Sequence, residues 1–202
     1  MAVPVDEKWH RIHDIANILV LPLVIAVNLL YLLGGDTHAK LQFLVFLTYI
    51  VFDTIFILVK PDCVASPKVI AAHHMLVMFG WSWMLVDDTF YRWASYGLLV
   101  EINTWFHVLR RNFRSSLLIQ ILFFISWFTL RDVMYPVILY QFIFEYFRHS
   151  HEKNTYMNGA FVILALMAYL TWLNMKWTYE LSRKFKIHNY SVVFDKQYDK
   201  GM

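Results

Sequence analysis

Two adjacent histidines, His73 and His74, interrupt the apolar stretch KVIAAHHMLVMFGWSWMLV, Lys68 to Val86. Imidazole titrates near neutrality and can take or return a proton, so the pair could serve as a general base. Such chemistry needs a carboxylate to orient the ring and a donor for developing negative charge. Both types recur in the neighbouring apolar runs: Asp53, Glu101 and Arg131, with Asn103, His107 and Asn174 as uncharged company. Each ionisable group within a membrane helix costs ~2.5–3.5 kcal/mol on insertion scales and calls for a reason. The bland reason is interhelical hydrogen bonding, worth about 0.6 kcal/mol per contact. His107 and Asn103 are four apart on one helix face and can bond each other. Asp53 by itself is more easily read as an interhelical hydrogen-bonder. A metal site is not expected, because two adjacent histidines and a distant Glu supply too few ligands.

These residues must be positioned by membrane helices. Of 202 residues, 59% are hydrophobic and only 16% charged, too apolar for a soluble domain of this length. Net charge is +3 and scattered, which excludes a nucleic-acid surface. A single cysteine, Cys63, cannot form an internal disulfide. Runs long enough to cross ~30 Å of hydrocarbon lie at 13–33, 40–59, 69–86, 90–109 and 157–179. The stretch from Ser115 to Phe147 is either one long helix kinked at Pro136 or two shorter ones.

Loop charges decide between these. With one long helix, Lys8, Arg11, Lys60, Lys68, Arg110, Arg111, Arg114, Lys176, Arg183, Lys184, Lys186, Lys196 and Lys200 fall on one side, thirteen in all. Four, Lys40, Arg92, Arg148 and Lys153, fall on the other. Two helices would give an even split. Because positive loops stay cytoplasmic, the expectation is an all-α integral membrane protein with six transmembrane helices, seven if the fifth run divides. Residues 1–12 form a cytoplasmic stub, 13–180 the membrane domain and 181–202 a cytoplasmic tail. At ~1.5 Å per residue, Asp53, His73, Glu101 and Asn174 then share a depth of about 7–14 Å below the cytoplasmic face. Arg110, Arg111 and Arg114 read as an anchor at anionic headgroups, with phosphate binding as the alternative.

In order along the chain, YIVFDTIFIL, AAHHMLVMF, LLVEINTWFHVLRR, FFISWFTLRDVMYP and LTWLNMKWTYELSRKF resemble the TLC domain over about residues 40–185. Translocating-chain-associated proteins, longevity-assurance ceramide synthases and a neuronal ceroid lipofuscinosis protein share this domain. The resemblance implies an endomembrane protein, such as one of the endoplasmic reticulum, whose helices surround a lipid-accessible cavity. It also implies ceramide-synthase-like acyl transfer from acyl-coenzyme A to a lipid amine or hydroxyl, with no tightly bound cofactor. On that reading His73, His74 and Glu101 are catalytic, Glu101 orienting the imidazole. Asp53, Asn103, Arg131, Asn174 and Trp177 would hold substrate. Val77 stands where ceramide synthases carry a Thr, and their later His-Asp dipeptide is missing, so the chain is closer to the small TLC-domain-containing proteins. For those, lipid binding without a reaction is the alternative function.

Overall fold

The computed structural model describes residues 6–83 and 90–198, with side chains as far as Arg183. Helix α1 spans Glu7–Gly34, α2 Ala39–Val59, α3 Pro67–Trp83, α4 Tyr91–Gly97, α5 Val100–Asn112, α6 Leu117–Trp127, α7 Tyr135–Glu152 and α8 Gly159–Tyr198. No strand occurs among the described residues.

Local chemistry sets the helix limits. The Asp6 carboxylate accepts from the backbone N–H of Lys8 at 2.8 Å, capping α1. Helix α1 therefore begins inside the stretch expected as a stub. At its other end Gly35 adopts φ +74° and returns its N–H to Tyr31, a conformation that favours glycine. Ser116 caps α6 in the same way as Asp6 caps α1, accepting from Ile119 N–H. The long fifth run is continuous rather than divided: α6 passes into α7 through a π turn, Phe128–Met134. Pro136 has no N–H for the Asp132 carbonyl and its ring crowds that carbonyl, so the preceding turn widens.

The fourth run departs from expectation. It is not one helix but α4 and α5, separated at Leu98 and Leu99. Here the backbone tightens into three-residue bonds, Glu101 N–H to Leu98 and Ile102 N–H to Leu99. Gly97 precedes the break, and its carbonyl accepts from the Tyr135 hydroxyl at 3.3 Å. The last stretch of the third run, 84–86, lies outside the described residues. Helix α8 runs on to Tyr198, through most of the expected tail.

Partner residues reveal the topology. His13 meets Asp53 and Asn28 meets Gln42, so α1 and α2 are antiparallel. Likewise α2 and α3 pair Thr54 with His74 and Phe46 with Trp81. Helix α3 runs against α8 through His73–Trp177, and α8 against the α6–α7 segment through Asn174–Arg131. Asn103 binds the Phe123 carbonyl across α5 and α6, and Asp14 binds Arg111 across α1 and α5. Among the described residues the chain thus makes six passes that close into a ring. At the α3–α8 closure Gly159 lies so near Trp83 that an added Cβ would come within 3.0 Å of the indole. Close approach of this kind is what small residues permit between membrane helices.

The burial pattern is inverted relative to a protein dissolved in water. Leu19 is 71% exposed and Leu117 69%, while Asn28, Gln42, Ser95 and Asn103 are all at 1% or less. Such a molecule fits a bilayer, where apolar surfaces face lipid and polar groups find partners inside. Three helical stretches, Glu7–Val59, Leu117–Glu152 and Gly159–Arg183, are long and apolar enough to cross a membrane, and the first of them is the α1–α2 hairpin. One end of the ring is filled by Phe90, Tyr135, Phe142 and Ile163, with Phe46, Trp81 and Leu98 alongside.

A polar clasp fixes that end. Gln42 Nε2 donates to Asn28 Oδ1 and to Ser95 Oγ (2.9 Å), and Asn28 Nδ2 donates to the Ser95 carbonyl (3.1 Å). Replacing Gln42 by leucine strands Asn28 Oδ1 and leaves the Ser95 hydroxyl only its bond to the Tyr91 carbonyl. It is expected to lower stability by ~1–3 kcal/mol, seen as a fall in Tm of the detergent-purified protein. An unchanged Tm would mean the clasp does not hold α1, α2 and α4 together.

Candidate functional site

A cavity of about 720 Å³ runs down the ring and is lined by residues from all six passes. Its inner end is the apolar fill just described, and Arg111, Ser66 and Glu180 lie towards the other. Its volume falls within the ~300–1,000 Å³ usual for small-ligand sites. His73, His74, Asp53, Glu101, Arg131, Asn174 and Trp177 all line it. Contacts of His74 with Asp53, His73 with Trp177 and Arg131 with Asn174 bring them to one level of the ring, as their registers on antiparallel helices allow.

Asp53 is the hub of the histidine side. His13 Nε2 lies 2.8 Å from Asp53 Oδ1, and His74 Nδ1 lies 3.6 Å from Oδ2. The Thr54 hydroxyl donates to the Ile50 carbonyl at 2.6 Å, so at 3.2 Å from His74 Nδ1 it can only accept. Both neighbours of Nδ1 are then acceptors, which places the proton on Nδ1 and the free lone pair on Nε2. For His13 the opposite tautomer follows: Nε2 donates to the carboxylate, and Nδ1 can accept from Asn17 Nδ2 at 3.4 Å. Tyr49 donates to Asn17 Oδ1 at 2.9 Å and completes the α1–α2 seam. His73 points elsewhere, with its ring 5.6 Å from that of Trp177 and its buried Nδ1 without a hydrogen-bond partner. Neighbouring helix positions diverge by about 100°, so the two imidazoles have separate surroundings.

Across the cavity Arg131 joins three passes. Its Nε donates to Asn103 Oδ1 and its Nη1 to Asn174 Oδ1, each at 2.7 Å, and Nη2 lies 3.4 Å from Thr104 Oγ1. The guanidinium lies over Trp127 at 4.9 Å and Trp177 at 5.6 Å. Glu101 stands on α5 beside Thr104 and within electrostatic reach of Arg131.

Several expectations need correction. The carboxylate beside His74 belongs to Asp53, not Glu101, because α2 abuts α3 whereas α5 stands across the ring. Asn103 does not line the cavity. Its amide donates to the Phe123 carbonyl and Ser126 Oγ while its oxygen holds Arg131, so it supports the wall from behind and does not bond His107. The three arginines form no common cradle. Arg111 binds the buried Asp14, Arg110 stacks on Phe123 at 4.4 Å, and exposed Arg114 returns to the Arg111 carbonyl.

The sequence reading passed over His13, Asn17, Tyr49 and Thr54. His13 could have been found: it stands four residues before Asn17, one turn along a helix, at the depth that antiparallel pairing gives Asp53. Cys63, in the turn after α2, is fully buried, and burial pushes its thiol from 9.0 up to about 11, with the carboxylates of Asp53 and Asp62 adding to the shift. Since the thiolate is the nucleophile, maleimide at pH 7.5 should leave the folded protein unlabelled and modify it only after denaturation. Rapid labelling of native protein would contradict this burial.

A search of curated proteins and one of solved structures gave no match. The TLC domain, as a family, matches residues 13–183, which takes in α1 from His13 onward as well as every cavity residue named above. That match spans most of the chain, and the chain belongs to the TLC-domain family.

Proposed function

We propose that the protein transfers an acyl group from acyl-coenzyme A to a lipid amine or hydroxyl inside the cavity. The observation that carries this reading is the Asp53–His74 pair, with the proton on Nδ1 and the free Nε2 in a lipid-sized cavity. The substrate N–H or O–H attacks the thioester carbonyl and gives its proton to His74 Nε2. Asp53 and Thr54 hold the ring and the imidazolium that results. Arg131, with N–H groups to spare beyond its three bonds, stabilises the oxyanion. As the carbon–sulfur bond breaks, the coenzyme A thiolate receives the proton from His74. On this reading each of the six passes is a membrane crossing, and the excess of Lys and Arg in the loops at one end favours a cytoplasmic side for both termini and for the polar end of the cavity, the side from which acyl-coenzyme A would enter. An endoplasmic-reticulum location goes with that substrate.

One observation favours a second reading. The shorter bond of Asp53, 2.8 Å, goes to His13 and ties two helices together. The cavity would then bind a lipid headgroup without turning it over. The test is to reconstitute the purified protein in vesicles with long-chain acyl-coenzyme A and mixed lipid amines and alcohols. Free coenzyme A thiol and acylated product would be measured together. Release of both supports transfer. Retained lipid in native mass spectra, with no thiol released, supports binding alone.

A further inference from the structure

We propose that the outer groove between α1 and α2 holds an acyl chain of a bilayer lipid and is the lateral entrance to the cavity. This second cavity, about 540 Å³, lies on the outside of the ring. It shares four lining residues with the inner cavity, His13, Asn17, Tyr49 and Asp53. Those four side chains are therefore a wall between the two. The rest of the groove is apolar and faces outward, with Val20, Leu23, Leu44 and Phe52 all exposed.

The occupant follows from position and polarity. The groove is cut into a hairpin apolar enough to cross a membrane, so it is continuous with the surface the bilayer covers. An amphiphile matches it, with its chain along Leu23, Leu44 and Phe52 and its polar head at the seam. The seam is also the part of the α1–α2 contact able to part. Towards one end the hairpin is held by the Gln42 clasp and by Val24 against Phe43 and Phe46. Towards the other, Trp9 packs on Phe56. Between them the helices are joined through side-chain tips, Tyr49 to Asn17 and His13 to Asp53. Polar bonds between membrane helices are individually weak, and a lipid headgroup can substitute for them. Interdigitated apolar packing has no such substitute. Entry also reaches the inner site: a headgroup that takes His13 frees Asp53 Oδ1 and leaves the carboxylate to His74.

The entrance rests on the reading of the cavity as a lipid chamber, but its test needs no turnover. The full-length protein is placed in phosphatidylcholine vesicles containing a trace of phosphatidylcholine with a diazirine in one acyl chain, irradiated, and mapped by peptide mass spectrometry. Adducts on Val20, Leu23, Leu44 and Thr48 should exceed, several-fold, those on Leu117, Phe128 and Val137, which are exposed on other outer faces. Ala16→Trp and, separately, Val20→Trp fill the groove from the lipid side, and each should remove the excess. Uniform labelling of all outer faces, or groove labelling that survives both substitutions, overturns the proposal. Groove labelling in a protein that releases no coenzyme A would sink acyl transfer and leave the entrance standing.

Discussion

Replacing His74 by alanine is expected to lower acyl transfer by about 10²–10⁴-fold, the usual worth of a positioned general base. The protein should remain folded, because the ring makes one long contact to Asp53 and one to Thr54 and closes no helix pair by itself. Asp53→Asn tests the same unit differently. An amide in place of the carboxylate can present its NH₂ to His74 Nδ1, which favours the other tautomer and puts the proton on Nε2. Transfer should then fall by a similar factor while substrate binding holds, so kcat drops and KM stays. Glu101→Gln should cost less, since the carboxylate that holds His74 is that of Asp53 and Glu101 stands beside Thr104. Full turnover in His74→Ala, measured as coenzyme A thiol released by protein of unchanged Tm, would rule out the proposed base. A larger loss with Glu101→Gln than with Asp53→Asn would return the orienting role to Glu101.

The largest loss of stability is expected at Arg131. Arg131→Met keeps an unbranched side chain and removes the donors to Asn103 and Asn174. Each stranded oxygen costs ~1–3 kcal/mol, so about 2–6 kcal/mol is lost in all. Relief from burying a guanidinium opposes this, and the balance depends on what stays behind. Removing one member of a buried polar set is costly, whereas replacing the whole set by apolar groups of like volume is often neutral. The triple variant Arg131→Met, Asn103→Leu, Asn174→Leu should therefore recover much of the Tm that the single variant loses. If Arg131→Met leaves Tm unchanged, the guanidinium serves a ligand and not the ring.

Helix content and most helix limits could be read from the sequence because apolar runs of membrane length leave few alternatives. That Asp53, His73, Glu101 and Asn174 line one cavity fits the common level that the fixed rise per residue gives them. Which of them touch could not be read from the sequence. Glu101 and Asp53 are equally plausible partners until the ring order is known, and that order depends on α3 meeting α8, a contact with no local signal. The split of α4 from α5 was hidden because Gly97 is a weak breaker inside an otherwise helical run. The separation of Arg110 from Arg111 was legible in principle, since adjacent residues on a helix diverge in direction. The partners that divide them, Phe123 and Asp14, belong to other helices.

The closed ring has a consequence for how the protein is made. Synthesis runs from α1 to α8, yet α3 waits for α8 through some eighty residues of later chain. Until that last helix arrives, the passes form an open trough. Arg131 then lacks Asn174, and His73 lacks the indole of Trp177. A nascent or truncated chain that ends before Gly159 shows the bilayer a charged, half-satisfied interior. Completion of the eighth helix is thus the event that hides it, and the means by which a surveillance machinery could tell a finished copy from an unfinished one.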